Sequence, residues 1–300
     1  MSKQPIMVVC VILVSILVYI SALAEPIPEN VRKCVVYLTK LGTKENLPIG
    51  TGFFVAYKYP QQSDTYYVFL VTARHVLFDD KGQPHSRLLL RMNEKVTGRL
   101  KDFDILNPSL WFFHTDAMAA DVAVQPLLPK EADFLFIPSD TFVTKVLLTN
   151  NKIGIGDDVF YTGLLSYHSG REKIAPVVRF GRLALVTDEK TVDDKYYHFI
   201  DAGNIPGHSG SPVFLWATPT RVSSGIVAGP RIFGLYGIVS GVLEYSKELR
   251  FVLPKQTQQG PTPVDARSGG VTAVVPVKFL IEILESSQLM KAIGIAAKDN

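Results

Sequence analysis

Cysteine is nearly absent from this chain of 300 residues: only Cys10 and Cys34 occur. Cys10 falls in an apolar leader. The chain without that leader therefore has one thiol, forms no internal disulfide, and must draw its stability from core burial. Cys34 in "KCVVYL" alternates with Val36 and Leu38, which fits a buried structural thiol better than a nucleophile. A large excess of charge of either sign is also lacking. Lys and Arg number 31 against 28 Asp and Glu, a net charge of +3 to which Lys3 contributes one. That balance gives no electrostatic reason to expect a nucleic-acid partner. Helical periodicity is confined to the C-terminal end, and no His lies beyond His208. "GIGDD" at 154–158 is not G-x-G-x-x-G and no helix signal follows it, so a phosphate loop is excluded. His208 has no His, Asp or Glu at ligand spacing, so no metal site is expected, and no cofactor.

The first 24 residues form the leader. Lys3 precedes the apolar run "IMVVCVILVSILVYI", and Ala22 and Ala24 make an A-x-A pattern before Glu25. This is the layout of a secretory signal peptide, and the chain is expected to be exported, periplasmic or secreted after cleavage near Ala24. The alternative is an uncleaved N-terminal membrane anchor, since residues 6–23 are long enough to span a bilayer. An uncleaved leader is the one membrane contact expected.

From Val31 onward, apolar runs of four to twelve residues recur between Gly, Pro, Asn and Asp. They include "CVVYLTKL", "GTGFFVAY", "YYVFLVTA", "RLLLRM", "DVAVQPL", "FVTKVLLT", "DDVFYTG", "VVRFGRLALV", "SPVFLWA", "SSGIVAG", "IFGLYGIVSGVL" and "VTAVVPV". Many short strands of even spacing predict an all-β barrel or sandwich rather than an alternating βα chain. One helix is predicted from Pro276, with Phe279, Leu280, Ile283 and Leu284 on one face, packed on the outside of the last domain. "LLPKEADF" at 127–134 separates two β-rich halves, and residues 253–270 read as a long mobile loop.

"GNIPGHSGSPVF", residues 203–214, raises the chemical question. A serine hydroxyl is a poor nucleophile until a base takes its proton, and the base must be oriented by a carboxylate. The order Ser–acid–His is impossible because no His follows Ser209, and "GHSGS" is not a G-x-S-x-G elbow. An Asp–His–Ser order would need a parallel α/β layout that the strand pattern does not support. The order His–Asp–Ser remains. His75 ends the apolar run of "YYVFLVTARHV", and Asp121 opens "DVAV". Each residue taken singly also fits a structural role: Ser209 a turn, His75 a strand end, Asp121 a strand-start charge. Asp116 in "HTDAMAAD" is a competing acid.

"TARHV", "DVAV" and "GHSGSPVF", in that order, resemble the three signature blocks of the trypsin-like (chymotrypsin-fold) serine proteases. "GDDVFYTG" and "YGIVSG" resemble two further blocks. The likeness covers roughly residues 45–285 and points to the exported, disulfide-free bacterial type. It implies two antiparallel six-stranded β-barrels, over 25–128 and 129–300, the second carrying the C-terminal helix. It also implies a serine endopeptidase acting on protein or peptide substrates through an acyl-enzyme. Ser209 would be the nucleophile, His75 the base and then acid, and Asp121 the orienting carboxylate. Gly207 and Ser209 would give oxyanion N–H groups, and Gly210 would allow close approach behind the nucleophile. Gly203, Ser240, Gly241 and Val242 would line the pocket for the residue before the scissile bond. Trypsins carry an aspartate where this chain has Gly203, so no charge is expected at the pocket base. A small or medium apolar residue is the expected preference. The family's activated zymogens hold an aspartate where this chain has His208, and "EPIPENV" lacks their new N-terminus. The site is therefore expected to form without zymogen cleavage. A rival from another class is a protease-like module that binds peptides without cutting them; an esterase on the same scaffold is a second.

Overall fold

Strand β1 (Val35–Lys40) shows how the first half is built. Val35 and Tyr37 face one way, Val36 and Leu38 the other, and all four are fully buried. The first pair joins a core that also holds Phe160, Phe214 and Leu235; the second joins Phe54, Leu70 and Leu90. A strand apolar on both faces must be covered on both, and here the second half of the chain supplies one cover. The computed structural model describes residues 27–42, 45–62, 64–105, 110–165, 170, 172–203, 207–217, 231–245 and 267–295, with the backbone alone for 242–245 and 267–269. The leader, Cys10 and His168, the run "SSGIVAG" and residues 253–266 lie outside them. No helix among the described residues is long and apolar enough to cross a membrane.

The first half is an eight-stranded sheet. Beside β1 it holds β2 (Leu47–Lys58), β3 (Tyr66–Thr72), β4 (Leu88–Asn93), β5 (Leu100–Asp104), β6 (Phe112–Phe113), β7 (Ala123–Pro126) and β8 (Ile137–Pro138). The pairing path runs β5-β4-β1-β2-β3-β7-β6, with β8 parallel to β2. A closed six-stranded barrel was expected here. Among the described residues the path does not close, because its end strands β5 and β6 are not paired. β6 is only two residues long and offers few groups to a closing ladder. The last strand paired to this sheet, β8, lies beyond residue 128, so first-sheet pairing continues past the boundary expected there.

The second half closes. Strands β9 (Asp158–Gly163), β10 (Val177–Leu185), β11 (His198–Asp201), β12 (Pro212–Ala217), β13 (Ile232–Tyr245) and β14 (Arg267–Pro276) form a barrel in the order β10-β11-β14-β13-β12-β9. All its pairings are antiparallel. Its interior is filled by Val159, Leu183, Ile200, Val213, Leu215 and Val274. Arg267–Gly270, expected in the loop, open β14. The protein is thus mostly β, with one closed barrel and one open sheet.

Helices account for two further differences. "FVTKVLLT" was read as a strand but carries helix α2 (Lys145–Asn150), following the short N-terminal α1 (Glu29–Lys33). The Thr144 hydroxyl accepts the Leu147 N–H at 3.3 Å, an N-cap that starts a helix where the apolar run alone suggests a strand. The single C-terminal helix is two, α3 (Val277–Leu284) and α4 (Ser287–Ala292), because Ser286 caps the second by accepting from Leu289. Nor does α3 pack only on the barrel. Its Leu280, Ile283 and Leu284 enter the core shared with β1, Tyr57 and Tyr59. Tyr59 donates to the Leu284 carbonyl at 2.7 Å, and Glu282 meets His114 at 2.6 Å. Cys34 is buried, with its thiol donating to the Val31 carbonyl at 3.3 Å. Burial pushes that thiol's pKa up, so it is a poor nucleophile.

Candidate active site

His75 lies in a 3-10 turn, Arg74–Leu77, immediately after β3. The turn halts the strand and fixes the imidazole at the sheet edge, with half of its side chain (51%) in solvent. Asp121 lies just before β7, the neighbour of β3, and its side chain is 12% exposed. The adjacency of β3 and β7 brings the two together. Asp121 Oδ2 meets His75 Nδ1 at 2.7 Å, and Oδ1 accepts the His75 backbone N–H at 2.9 Å. With Nδ1 donating, Nε2 is the ring nitrogen left to act as a base. Asp116 is bonded to Lys190 at 3.0 Å and does not hold the imidazole.

Desolvation is the first influence on both partners, and it disfavours both charges. The hydrogen bond and charge of Asp121 outweigh it at His75, whose pKa is raised. At Asp121 burial pushes up, but the His75 side chain, the Ser240 hydroxyl and the His75 N–H bring the net shift down.

Ser240 carries the site across to the barrel. It sits where the register of β13 against β14 slips between Val239 and Gly241. A bulge of this kind re-aims one side chain and frees its backbone from the ladder. The Ser240 hydroxyl donates to Asp121 Oδ2 and meets the Tyr197 hydroxyl at 2.9 Å. Its carbonyl accepts the Ser209 Oγ at 3.1 Å. The Ser240 hydroxyl is thus committed to Asp121 and Tyr197. With Arg74, Met118, Lys195 and Tyr197 it lines a cavity of about 230 Å3 beside His75 and Asp121.

Ser209 is thus joined to Asp121 through one residue, but its hydroxyl points at Ser240 and not at His75 Nε2 among the described contacts. The loop around it is clamped to the first sheet. The Thr51 N–H donates to the Ser209 carbonyl at 2.8 Å, and the Thr51 hydroxyl to the Gly207 carbonyl at 2.7 Å. Gly207 has φ +103° and Gly210 φ +87°, backbone that other residues adopt only under strain. A Cβ on Gly210 would lie 2.0 Å from the Thr51 carbonyl oxygen and 2.4 Å from Thr72 Oγ1. Gly210 is therefore required for the barrel loop to touch the sheet. The N–H groups of Gly207 and Ser209 have no protein acceptor among the described residues.

His208 turns inward, fully buried against Gly163. The Tyr161 hydroxyl donates to the Gly203 carbonyl at 2.5 Å and lies 3.1 Å from His208 Nδ1. With the phenolic hydrogen spent on Gly203, Nδ1 must be the donor in the second contact. Burial, then the charge of Arg179, lowers the His208 pKa to about 4. A neutral imidazole held by a tyrosine thus occupies this place.

The other residues expected to line a pocket divide. A Cβ on Gly203 would lie 2.7 Å from Arg179 Nη2, so a guanidinium lies beside this glycine. Gly241 faces open space. The side chain of Val242 lies outside the described residues. Arg179 escaped the sequence reading because the register of β9 against β10, which sets it opposite Tyr161, leaves no local motif.

No family model matches the chain, and no curated protein matches it. Among solved structures, the HtrA-type protease AlgW with a tripeptide is similar at TM-score 0.48 and 16% identity, over 89% of this chain and 63% of that one. The tobacco vein mottling virus protease follows at 0.46 and 13%, over 89% and 88%. Deg5 stands at 0.46 and 14%, over 89% and 93%. This chain therefore spans under two thirds of the first of these. At such distance the likenesses carry no weight for function.

Proposed function

We propose that this chain is a serine endopeptidase of chymotrypsin-like design, with Ser209 as nucleophile, His75 as general base and Asp121 as the orienting carboxylate. The observation that carries the reading is the doubly bonded His75–Asp121 pair, linked through Ser240 to the hydroxyl of Ser209. Such a pair holds an imidazole in the tautomer that accepts a proton at Nε2. Catalysis requires Ser209 Oγ to leave the Ser240 carbonyl and take Nε2. Attack on a peptide carbonyl would then form the acyl-enzyme as Nε2–H passes its proton to the leaving amine, and water would release the acid. The free N–H groups of Gly207 and Ser209 would receive the oxyanion. Losing one such donor costs about 3–4 kcal/mol of transition-state stabilisation. Gly207 and Gly210 let the loop take the positive-φ backbone that presents them.

A fluorophosphonate probe tests the reading. Labelling of the folded protein that disappears in Ser209→Ala supports it; no labelling of folded protein overturns it. The second outcome would favour a peptide-binding module that does not cut, a reading supported by the Ser209 hydroxyl being turned onto Ser240. The proposal includes export, on the strength of the leader and the A-x-A pattern at 22–24. Sequencing of the mature N-terminus, expected at Glu25, checks it.

A further inference from the structure

We infer that the pocket receiving the residue before the scissile bond selects an acidic side chain, through Arg179; this rests on the endopeptidase reading above. Arg179 is carried on β10 directly opposite Tyr161 of β9 and is half-buried. Its guanidinium lies against Gly203, where an ideal Cβ would be 2.7 Å from Nη2 and 3.7 Å from Cζ. The space a side chain at 203 would take is thus filled by a cation reaching in from the neighbouring strand. Gly203 is the sixth residue before Ser209. A carboxylate at this place, as in trypsins, would favour a basic substrate residue; a guanidinium reverses the sign.

Arg179 has no hydrogen bond or ion pair among the described residues. The two polar groups on which its charge acts are the Tyr161 hydroxyl, which is committed to Gly203, and His208, which presents a neutral donor. Its charge is felt at both, helping to keep His208 unprotonated. A partly desolvated guanidinium without an anion is unfavourable, and its planar fork is suited to a carboxylate held by two parallel bonds. Among the described residues, the cavity beside His75 adds no competing anion. The cavity beside His75 is lined by Arg74 and Lys195, while its one carboxylate, Asp121, is taken by His75 and Ser240.

Matched fluorogenic peptides that differ only in the residue before the cut, Glu, Asp, Gln, Ala, Leu or Arg, decide the matter on the full chain. Titration with the phosphonate gives the fraction of working Ser209 in each preparation. The expected result is a kcat/KM for Glu at least tenfold above that for the isosteric Gln, and higher still over Arg. In Arg179→Gln that ratio falls toward one. Arg179→Lys, which keeps the charge without the fork, gives an intermediate ratio and guards against a variant that merely misfolds. Labelled, active protein with no acidic preference overturns this inference alone. So does an acidic preference that survives in Arg179→Gln. Absence of labelling on folded protein overturns the endopeptidase reading and this one together.

Discussion

His75 on the open sheet and His208 on the closed barrel are both held by an oxygen, yet they are driven in opposite directions. His75 meets a carboxylate, whose hydrogen bond and charge overcome desolvation and raise its pKa. His208 meets a phenol, which supplies geometry but no charge, while burial and Arg179 drive it down to about 4. Burial alone does not decide what an imidazole does; the charge of its partner does. The sheet thus supplies a proton acceptor, and the barrel supplies a neutral strut beneath the nucleophile loop.

Removing the charge that separates the two histidines should have the largest effect. Asp121→Asn is expected to lower kcat roughly 10^4-fold, as loss of the orienting carboxylate does in such triads. In the unsubstituted protein, kcat/KM should fall as pH drops through the His75 pKa, since the base must be unprotonated. The midpoint of that limb should lie above 6.5, the ordinary imidazole value, because the shift is upward. A midpoint below 6.5 in a pH–rate profile would break the contrast with His208.

The loop that joins the halves gives the next test. Gly210→Ala puts a Cβ into the Thr51 carbonyl at positive φ, while Gly241→Ala meets nothing within 4 Å. The first should cost about 3 kcal/mol or more, strain and overlap combined. The second should stay within about 0.5 kcal/mol. Denaturant unfolding and phosphonate labelling of the pair would read both effects, and equal losses would show that the loop does not lean on the sheet.

Stability against pH sharpens the comparison further. His208 is depressed in the fold, so its contribution is present above about 6.5 and is lost as pH falls toward 4, where the unfolded chain binds the extra proton. The loss attributable to it is roughly 3 kcal/mol. His198, also lowered to about 4, by burial first, acts in the same sense. His75 acts in the opposite sense: its paired, charged form stabilises the fold below 6.5, and this contribution fades as pH rises through its raised pKa. His208→Gln should flatten the decline between pH 6.5 and 4 in denaturant titrations, whatever it costs at pH 7. An unchanged decline would remove His208 from the account.

What could be read in the sequence was what is local. "TARHV" and "DVAV" each place one polar residue at a strand end, and the structure brings those two to hydrogen-bond distance through the β3–β7 pairing. The two glycines of "PGHSG" signal unusual backbone, and both have positive φ. What escaped was set by pairing register or by a single cap. The bulge at Ser240 turns an expected wall residue toward Asp121, and Arg179 reaches Gly203 from another strand. Thr144 turns an apolar run into a helix by accepting one N–H. Closure of the first sheet depends on end strands whose short length no hydrophobic pattern reveals.

The seam itself offers the smallest effect. Thr51 belongs to the sheet and is fully buried, yet its hydroxyl serves the barrel. It donates to the Gly207 carbonyl at 2.7 Å and accepts the Leu164 N–H at 3.3 Å. Thr51→Val keeps the shape and removes both bonds, leaving a buried carbonyl and N–H to find other partners. The expected loss is about 2 kcal/mol, the net worth of two ordinary internal hydrogen bonds at about 1 kcal/mol each. The Thr51 N–H to Ser209 remains, so the loop should stay attached while Gly207 loosens. If Gly207 serves the oxyanion, phosphonate labelling should slow by more than the small stability loss would suggest, while the pH midpoint of His75 stays in place. A midpoint that moved with the labelling rate would show that the sheet and barrel do not divide the work as the two histidines indicate.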